Sequence, residues 1–371
     1  MTHSPGLFKE IDNMNQIQDK NIGIFIRIIL MASWLLITVC SAAENNLECD
    51  ETMKALQSDY PTTISAFGKT NGPVDIFILG KQQNHNLSVE TYIVNTADSK
   101  YDGVLTWDLI PRGNVMKEPV KFTVRPGETL KRQCGLRSGN REVRLMAEVS
   151  LQDDTILRKE IGLMSMPLRM ASPLIDGNLD EWFNVPSLKL NRSKFITPQD
   201  SSNFWTQADA SASVMFWWND DSLYVGARIM DDDPLYFNPL ENEQGYAERL
   251  ILLLSLDGPC RSRNFDDSDF RIDISASREI GAVICIPLAE NRIIKTGRVI
   301  TRKTREGYIL EASVPFKDFT SWKPKRETMI GFDMIMEDYD GEPDRWTGSL
   351  CWSGSSDSFN NPVEWGLAVI Y

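Results

Sequence analysis

Histidine is nearly absent from this chain of 371 residues, which contains only His3 and His85. Neither lies within residues 174–371, so that part cannot use a histidine base in a nucleophilic triad or imidazole ligands in a catalytic metal site. No two cysteines stand in a CxxC spacing, and structural zinc sites depend on paired thiolates or imidazoles. Carboxylate motifs such as E-x-D-x-x-E, typical of jelly-roll hydrolases, are also lacking. We therefore expect a protein that is not an enzyme.

Clusters of basic residues are lacking as well. The formal net charge is −13, and the positive side chains occur in short groups such as Lys131 and Arg132. A protein that binds a phosphate backbone needs a positive surface, so nucleic acid is excluded as a partner. A neutral polyol ligand, or a cation held by carboxylates, is compatible with this charge.

Apolar runs long enough to span a bilayer are missing too. The longest apolar segment near the N-terminus, Ile28 to Val39, is shorter than the roughly 20 residues that a membrane helix needs. Positive charges at Lys20 and Arg27 precede it, and small residues, Ser41 to Ala43, follow it, as in an export signal. We predict a cleaved signal and an extracellular, periplasmic or cell-surface protein, without membrane attachment unless this segment is retained. An uncleaved anchor and lipidation of Cys40 are the alternatives.

Five cysteines follow the predicted cleavage site: Cys49, Cys134, Cys260, Cys285 and Cys351. In an oxidising compartment, a disulfide could join Cys49 to Cys134. A second could join Cys260 to Cys285 and leave Cys351 free. Alternatively, all five are small buried apolar residues.

The residues that follow the signal, which with its N-terminal extension occupies residues 1–43, divide into two predicted domains. The first, residues 49–166, contains short segments that alternate apolar and polar side chains, separated by turns such as Arg125 to Gly127. These segments are Val74–Gly80, Ser88–Asn95, Gly103–Ile110, Val120–Leu130, Glu142–Leu151 and Ile156–Met164. Six or seven strands at this spacing predict an immunoglobulin-like sandwich. We expect this domain to act as a spacer.

The second predicted domain, residues 174–371, carries a set of motifs in a fixed order. They are IDGNLDEW (Ile175–Trp182), a hairpin pattern (Ser213–Pro234), FRIDI (Phe270–Ile274), EGYILEASVPFKDF (Glu306–Phe319), IGFDMIMEDYDG (Ile330–Gly341) and WSGSSDSFNNPVEWG (Trp352–Gly366). In order, this set resembles the family 9 carbohydrate-binding modules, also described as DOMON-like β-sandwiches. The resemblance implies a jelly-roll sandwich, so we predict an all-β protein of two sandwich domains.

The resemblance also implies a sugar site. Members of the family hold a terminal sugar between two aromatic rings, and the matching positions here are Phe359 and Tyr246. Arg271 matches an arginine that donates to sugar hydroxyls, and Glu248 is the candidate for an acidic partner. Apolar C–H faces of a sugar stack on such rings while its hydroxyls need polar groups at the edge.

Other interpretations of these residues stay open. Arg271 could instead pair with Asp269 or Asp273, two residues away on the same face of a strand. A glutamine of the family is replaced by Ile335 and an asparagine by Ser356. These replacements leave open whether the chain still binds sugar.

Tryptophans in the second domain are expected to lie in its core. Trp217 and Trp218 are adjacent in a predicted strand and must point to opposite faces. We predict that one is buried and that the other is exposed or lies between the two domains.

Acidic clusters provide a second candidate site. They are Asp231 to Asp233, Asp266 to Asp269 and Glu337 to Asp340, and carboxylate oxygens are the ligands that calcium prefers. The resemblance implies structural calcium, with Asp233 at a matching position. The alternative is a set of solvated acidic loops. Haem, which some DOMON relatives bind, is not expected because this domain has no histidine.

Two hypotheses for function follow. The first is an exported, non-catalytic protein that binds an oligosaccharide or polysaccharide, or its end, and assists polysaccharide breakdown. The second is a structural or protein-interaction module of the cell envelope whose sandwich has lost sugar binding. An exposed pair of opposed rings would distinguish them.

Overall fold

The computed structural model describes most of the chain from residue 72 onward. The described residues are 72–83, 86–110, 118–136, 142–191, 206–234, 248–259, 265–276, 282–285, 290–339, 346–354 and 356–371. They belong to one compact unit that comprises residues 60–371. The predicted signal, Cys40, Cys49, Cys260 and Tyr246 lie outside the described residues.

The described residues form strands and short 3-10 turns, which confirms the all-β class. The strands of the first half are β1 (Val74–Gln83), β2 (Asn86–Asn95), β3 (Tyr101–Ile110), β4 (Val120–Val124), β5 (Thr129–Leu136), β6 (Val143–Leu151) and β7 (Ile156–Met166). Those of the second half are β8 (Ser187–Leu190), β9 (Ala210–Trp218), β10 (Ser222–Asp231), β11 (Arg249–Ser255), β12 (Asp269–Ser275), β13 (Ala282–Cys285), β14 (Glu290–Ile293), β15 (Arg298–Lys303), β16 (Gly307–Pro315), β17 (Thr328–Tyr339), β18 (Trp346–Cys351) and β19 (Gly366–Ile370). One-turn 3-10 helices occur at Asp180–Trp182, Phe316–Asp318, Ser356–Phe359 and Pro362–Glu364. None of the helices in the described ranges is long and apolar enough to cross a membrane.

The first half contains two facing layers of strands. A short sheet in the order β1-β2-β5 covers β3, β4, β6 and β7, which belong to a second, much longer sheet. Between them lies an apolar core that includes Val89, Ile93, Leu105 and Leu145. The turn at Arg125 to Gly127 divides the segment predicted as one strand into β4 and β5. The immunoglobulin-like identity of this half stays a prediction.

The second half is a sandwich of two sheets. A five-stranded sheet in the order β15-β16-β10-β9-β8 packs on the strands β14-β13-β12-β11-β17-β19 of the long sheet. The core between them is lined by large side chains such as Trp218, Phe216, Phe332 and Trp352. Trp218 belongs to this core, while Trp217 lies on the other face of β9 beneath the opening segment at Ile175. The two rings do point to opposite faces, but neither is exposed, because the opening segment covers the outer one.

The long sheet runs without a break through both halves. Strand β19 pairs in parallel with β7, with Leu367 opposite Leu163. Just after β7 the pairing with the C-terminal end continues, since Leu168 N–H donates to the Tyr371 carbonyl (2.8 Å). On β9 of the other sheet, Trp218 N–H donates to the Pro167 carbonyl (3.0 Å). The domain boundaries stay a prediction, but the two halves share one sheet.

Two cysteines, Cys134 and Cys351, have side chains that the structure describes, and both are buried. Cys351 carries a free thiol at the end of β18 and is 3% exposed. Cys134 is buried in β5. The predicted disulfides involve Cys49 and Cys260, so neither pairing is tested.

Candidate functional site

The candidate site lies on the outer face of strands β12, β11 and β17, which is the face turned away from the core of the second half. Side chains alternate along a strand, so residues two apart share a face. Leu250, Leu252 and Leu254 enter the core, and the residues between them point outward. In register on this outer face lie Arg271, opposite Leu253, and Asp333 on the other side of Leu253.

Arg271 and Phe359, two predicted sugar contacts, are in direct contact. The Cζ atom of Arg271 lies 4.9 Å from the centre of the Phe359 ring, which is the distance of a cation–π interaction. The guanidinium also donates to both oxygens of Asp273, at 2.7 and 2.9 Å. The predicted pairing of Arg271 with Asp273 is thus present, and it fixes the guanidinium over the ring. The Arg271 side chain remains 23% exposed.

A further charged residue on this face, Arg249, was not predicted as part of a site, whereas its partner Glu337 belongs to one of the predicted acidic clusters. Arg249 forms an ion pair with Glu337 on β17 and lies 3.7 Å from Asp273. The group therefore contains two positive and two negative side chains and is neutral as a whole. Strand β11 is apolar on both faces, so the run RLILLLS shows no alternation that would have placed Arg249 on the outer face.

The half-buried Phe359 ends a one-turn 3-10 helix. Its ring packs against Ile251, Leu253, Ile335 and Trp365. We define the segment Trp352–Trp365, which connects β18 to β19, as the ring loop. Ile335, which replaces a polar residue of the family, is 1% exposed and contributes packing under this loop. Ser356 lies in the same loop.

Asp333 anchors the ring loop to the sheet. Its Oδ1 accepts from the backbone N–H of Ser353 (3.0 Å), and its Oδ2 accepts from the N–H of Gly354 (3.0 Å) and the hydroxyl of Ser358 (3.0 Å). The pKa of Asp333 is raised, because the effect of burial is larger than that of these hydrogen bonds, which lower it. The carboxylate is fully buried, so the loop has a fixed position on the sheet.

Glu248 lies away from Arg271 and Phe359. It has no exposed surface and faces the inside of the sandwich, where its Oε1 accepts from the Tyr339 N–H at 2.7 Å. The structure therefore does not bring Glu248 together with the other predicted sugar contacts. Tyr246 lies in residues that the structure does not describe, so the prediction of a second ring is not tested.

Three carboxyl groups meet around Glu248. Oxygen atoms of Asp231, Glu248 and Asp338 all lie within 4.8 Å of one another, and all three residues are buried. Among the described residues, no N–H group donates to the Oε2 atom of Glu248. Burial, and then the charges of Asp231 and Asp338, raise the pKa of Glu248 well above its usual value. A shared cation would relieve this repulsion.

These three residues fit a hard cation such as calcium. They offer only oxygen atoms, come from three different strand ends, and include a buried oxygen, Oε2 of Glu248, to which no N–H group of the described residues donates. Asp233, the predicted metal ligand, is exposed and is not one of the three. Its N–H instead donates to Oδ1 of Asp231 at 2.9 Å. Asp231 and Asp338 belong to two of the predicted acidic clusters, whereas the role of Asp233 as a metal ligand stays a prediction.

The second half matches a known family. The model of the family described as carbohydrate family 9 binding domain-like matches residues 175–371. Among curated proteins, endo-1,4-beta-xylanase A of Thermotoga neapolitana is 25% identical over 206 residues, which are 55% of this chain and 18% of that protein. Endo-1,4-beta-xylanase C of Paenibacillus barcinonensis is 27% identical over 218 residues, 58% of this chain and 18% of that protein. The chain thus spans about a fifth of the length of these relatives.

Solved structures to which this chain is similar include a family 9 carbohydrate-binding module from Caldicellulosiruptor kristjanssonii. Its complex with cellotriose has a TM-score of 0.43 at 20% identity, and the match covers 56% of this chain and 93% of that one. Its complex with glucose has a TM-score of 0.41 at 19% identity, with 56% and 95% coverage.

Proposed function

This chain belongs to the carbohydrate family 9 binding domain-like family through residues 175–371, and from that membership we propose that it is an exported, non-catalytic protein that binds an oligosaccharide or polysaccharide. The observation that carries the proposal is the stack of Arg271 on Phe359 on the outer face. An aromatic ring beside a held guanidinium offers an apolar surface for a sugar ring and donors for its hydroxyls. We infer a role beside enzymes that degrade polysaccharides, which the names of its xylanase relatives support.

The charges around Arg271 favour a neutral sugar. Arg249 and Arg271 are matched by Asp273 and Glu337, so an acidic sugar would find no excess of positive charge. Two N–H groups of Arg271 are used by Asp273. A guanidinium has five such donors, and the others can donate to sugar hydroxyls from the exposed part of the side chain.

Replacing Phe359 by alanine tests this proposal. Binding of glucose, cellotriose and xylotriose is measured by isothermal titration calorimetry. We expect the unmodified chain to bind at least one of them, and Phe359→Ala to weaken that binding about tenfold, equivalent to about 1.4 kcal/mol, because the apolar surface under the sugar is lost.

Phe183 provides the matched control for this experiment. It is 87% exposed and lies next to the opening 3-10 helix rather than on the outer face, so Phe183→Ala should bind sugar as the unmodified chain does. Equal weakening by both substitutions would contradict a site at Phe359. If the unmodified chain bound no glycan in titration or on a glycan array, the protein-interaction function would replace sugar binding.

We also propose that Asp231, Glu248 and Asp338 hold a structural calcium ion. The ion would supply positive charge that joins β10 of one sheet to β11 and β17 of the other. After removal of metal with a chelator, adding Ca²⁺ at about a hundred times its dissociation constant is expected to raise the melting temperature by about 5 °C.

Two amide substitutions distinguish calcium binding at this site from calcium binding to other acidic residues of the chain. Glu248→Gln removes one ligand charge and should abolish the thermal response to Ca²⁺. Asp267→Asn removes an exposed carboxylate from another acidic cluster and should leave the response intact. The same response in Glu248→Gln as in the unmodified chain would show that calcium binds elsewhere.

A further inference from the structure

The first half of the chain reaches the ring loop directly. Because β19 pairs in parallel with β7, the strands β7 and β6 lie beside the segment that carries Phe359. The family match begins only at residue 175, so any contact from these strands lies outside the matched region. We propose that β6 and β7 position the ring loop, and that Arg144 is the principal positioning residue of the sugar site. This inference rests on the proposed function.

Arg144 binds the first residue of the ring loop. Its Nη2 atom donates to the Trp352 carbonyl at 2.6 Å, and its Cζ atom lies 5.9 Å from the centre of the Trp352 ring. The residue is 2% exposed and lies between Glu142 (3.6 Å) and Glu160 (3.5 Å). A buried guanidinium keeps its charge only where such partners surround it, so its position, and that of the carbonyl it binds, is tightly defined.

Three further contacts join the same strands to the loop. Trp352 Nε1 donates to Oε1 of Glu142 at 2.8 Å, and the N–H of Gly162 donates to the Ser353 hydroxyl at 2.8 Å. The loop's far end is held by an ion pair between Lys159 and Glu364 at 2.8 Å. The first half therefore binds the ring loop both near its beginning and near its end.

The backbone of β7 also forms the surface on which the Trp352 ring lies. A Cβ atom on Gly162 would come within 2.7 Å of that ring. Gly366 on the neighbouring strand β19 is equally close, with a Cβ distance of 2.6 Å from the ring. Because these two neighbouring residues are glycines, the Trp352 indole has room to pack against the backbone of β7 and β19.

The position of Trp352 is linked to that of Phe359 through hydrogen bonds of the loop to Asp333 on β17 and within the loop itself. Ser353, the next residue, donates its N–H to Asp333, which also accepts the Ser358 hydroxyl. Trp365 Nε1 donates to the Ser358 carbonyl at 2.8 Å. Ser358 precedes Phe359, so a shift at Trp352 moves the ring away from Arg271. The first half is thus part of the binding site rather than a spacer.

Substitutions at Arg144 in the full chain test this inference. Cellotriose binding is measured by calorimetry, which reports the dissociation constant separately from the fraction of competent molecules. We expect Arg144→Met to raise the dissociation constant about tenfold at an unchanged stoichiometry. Arg144→Lys, which keeps a donor for the Trp352 carbonyl, should recover most of the affinity. Arg158→Met, on the exposed side of β7 with 59% of its side chain accessible, should bind as the unmodified chain does.

A role limited to stability gives a different result. In that case Arg144→Met would lower the melting temperature or the competent fraction and leave the dissociation constant unchanged, which would overturn the inference. If Arg144→Met did not fold, Ser353→Ala, which removes only the acceptor of the Gly162 N–H, takes its place with an expected threefold weakening. Unchanged affinity in that variant would equally overturn it.

A measurement made without sugar tests the positioning of the ring loop independently of whether the chain binds sugar. Hydrogen exchange at the backbone amides of Ser353, Gly354 and Trp365 should accelerate at least tenfold in Arg144→Met, while the amides of the β9–β10 hairpin keep their rates. If the unmodified chain binds no glucose, cellotriose or xylotriose, the proposed function fails, and faster exchange still supports positioning of the loop. Unchanged exchange at these amides would reject it.

Discussion

Replacing Glu311 by alanine is expected to lower the free energy of unfolding by about 4 kcal/mol. The carboxylate on β16 is fully buried. Its Oε2 atom accepts the backbone N–H groups of Asp176 (3.0 Å), Gly177 (2.5 Å) and Asn178 (3.1 Å), and its Oε1 atom accepts Trp182 Nε1 at 2.8 Å. Removing it leaves these donors without an acceptor. The Gly177 N–H and Trp182 Nε1 are buried, and each buried donor that loses its acceptor costs about 1–3 kcal/mol.

Chemical denaturation of Glu311→Ala measures the decrease in the free energy of unfolding. Two other variants test whether the decrease comes from the lost hydrogen bonds. Glu311→Gln keeps the shape but places an amide NH₂ against donors, so we expect it to lose nearly as much. Glu306→Gln, at an exposed position just before β16, should unfold as the unmodified chain does. A loss below 1 kcal/mol in Glu311→Ala would contradict the role of Glu311 in fastening the opening segment.

Replacing Asp333 by asparagine is expected to lower the free energy of unfolding by about 3 kcal/mol and to weaken sugar binding as well. Both carboxylate oxygens face donors: Oδ1 accepts the N–H groups of Met334 and Ser353, and Oδ2 accepts the Gly354 N–H and the Ser358 hydroxyl. In one orientation the asparagine NH₂ faces the N–H groups of Met334 and Ser353, and in the other it faces the Gly354 N–H, because only the Ser358 hydroxyl can turn to accept from it. The ring loop must then move off the sheet.

Denaturation and calorimetry on the same preparation test both effects of Asp333→Asn. The matched control is Asp98→Asn, at an exposed position in the turn after β2, which should change neither quantity. If Asp333→Asn bound cellotriose with the affinity of the unmodified chain while losing stability, the anchoring of Phe359 through Asp333 would be refuted.

The sequence was sufficient to predict the family, most strands of the first half and the strands that carry the family's motifs in the second half, but not β8, β13, β14, β15 or β18. Strand β9 ends at Trp218, the polar turn Asn219 to Asp221 follows, and β10 begins at Ser222, as the hairpin pattern indicated. Two of the motifs are in direct contact, because Glu311 of the GYILEASVP segment binds the backbone of the IDGN segment.

The site was predicted less completely, and Glu248 illustrates why. In a strand, a shift of one residue moves a side chain to the opposite face. Glu248 and Arg249 are neighbours, yet Glu248 points into the sandwich and Arg249 lies on the outer face beside Asp273. Without turn residues to fix the register of β11, the sequence could not assign either face.

Contacts between distant parts of the chain were equally hidden. Arg144 and Trp352 are 208 residues apart, and nothing in the pattern of either strand identifies the other as its partner. The buried charge of Arg144 becomes understandable only when β7 and β19 are seen to be neighbours. The same holds for Gly162, whose missing side chain matters only because of the Trp352 ring.

The parallel pairing of β7 with β19 has a consequence for anyone who isolates the family domain by itself. A fragment that began at residue 174 would lack β7 and leave the amide and carbonyl groups along Gly366–Ile370 as an open hydrogen-bonding edge. Open edges recruit strands from other molecules. Such a fragment would self-associate through β19, whereas in the intact chain its own β7 occupies that edge.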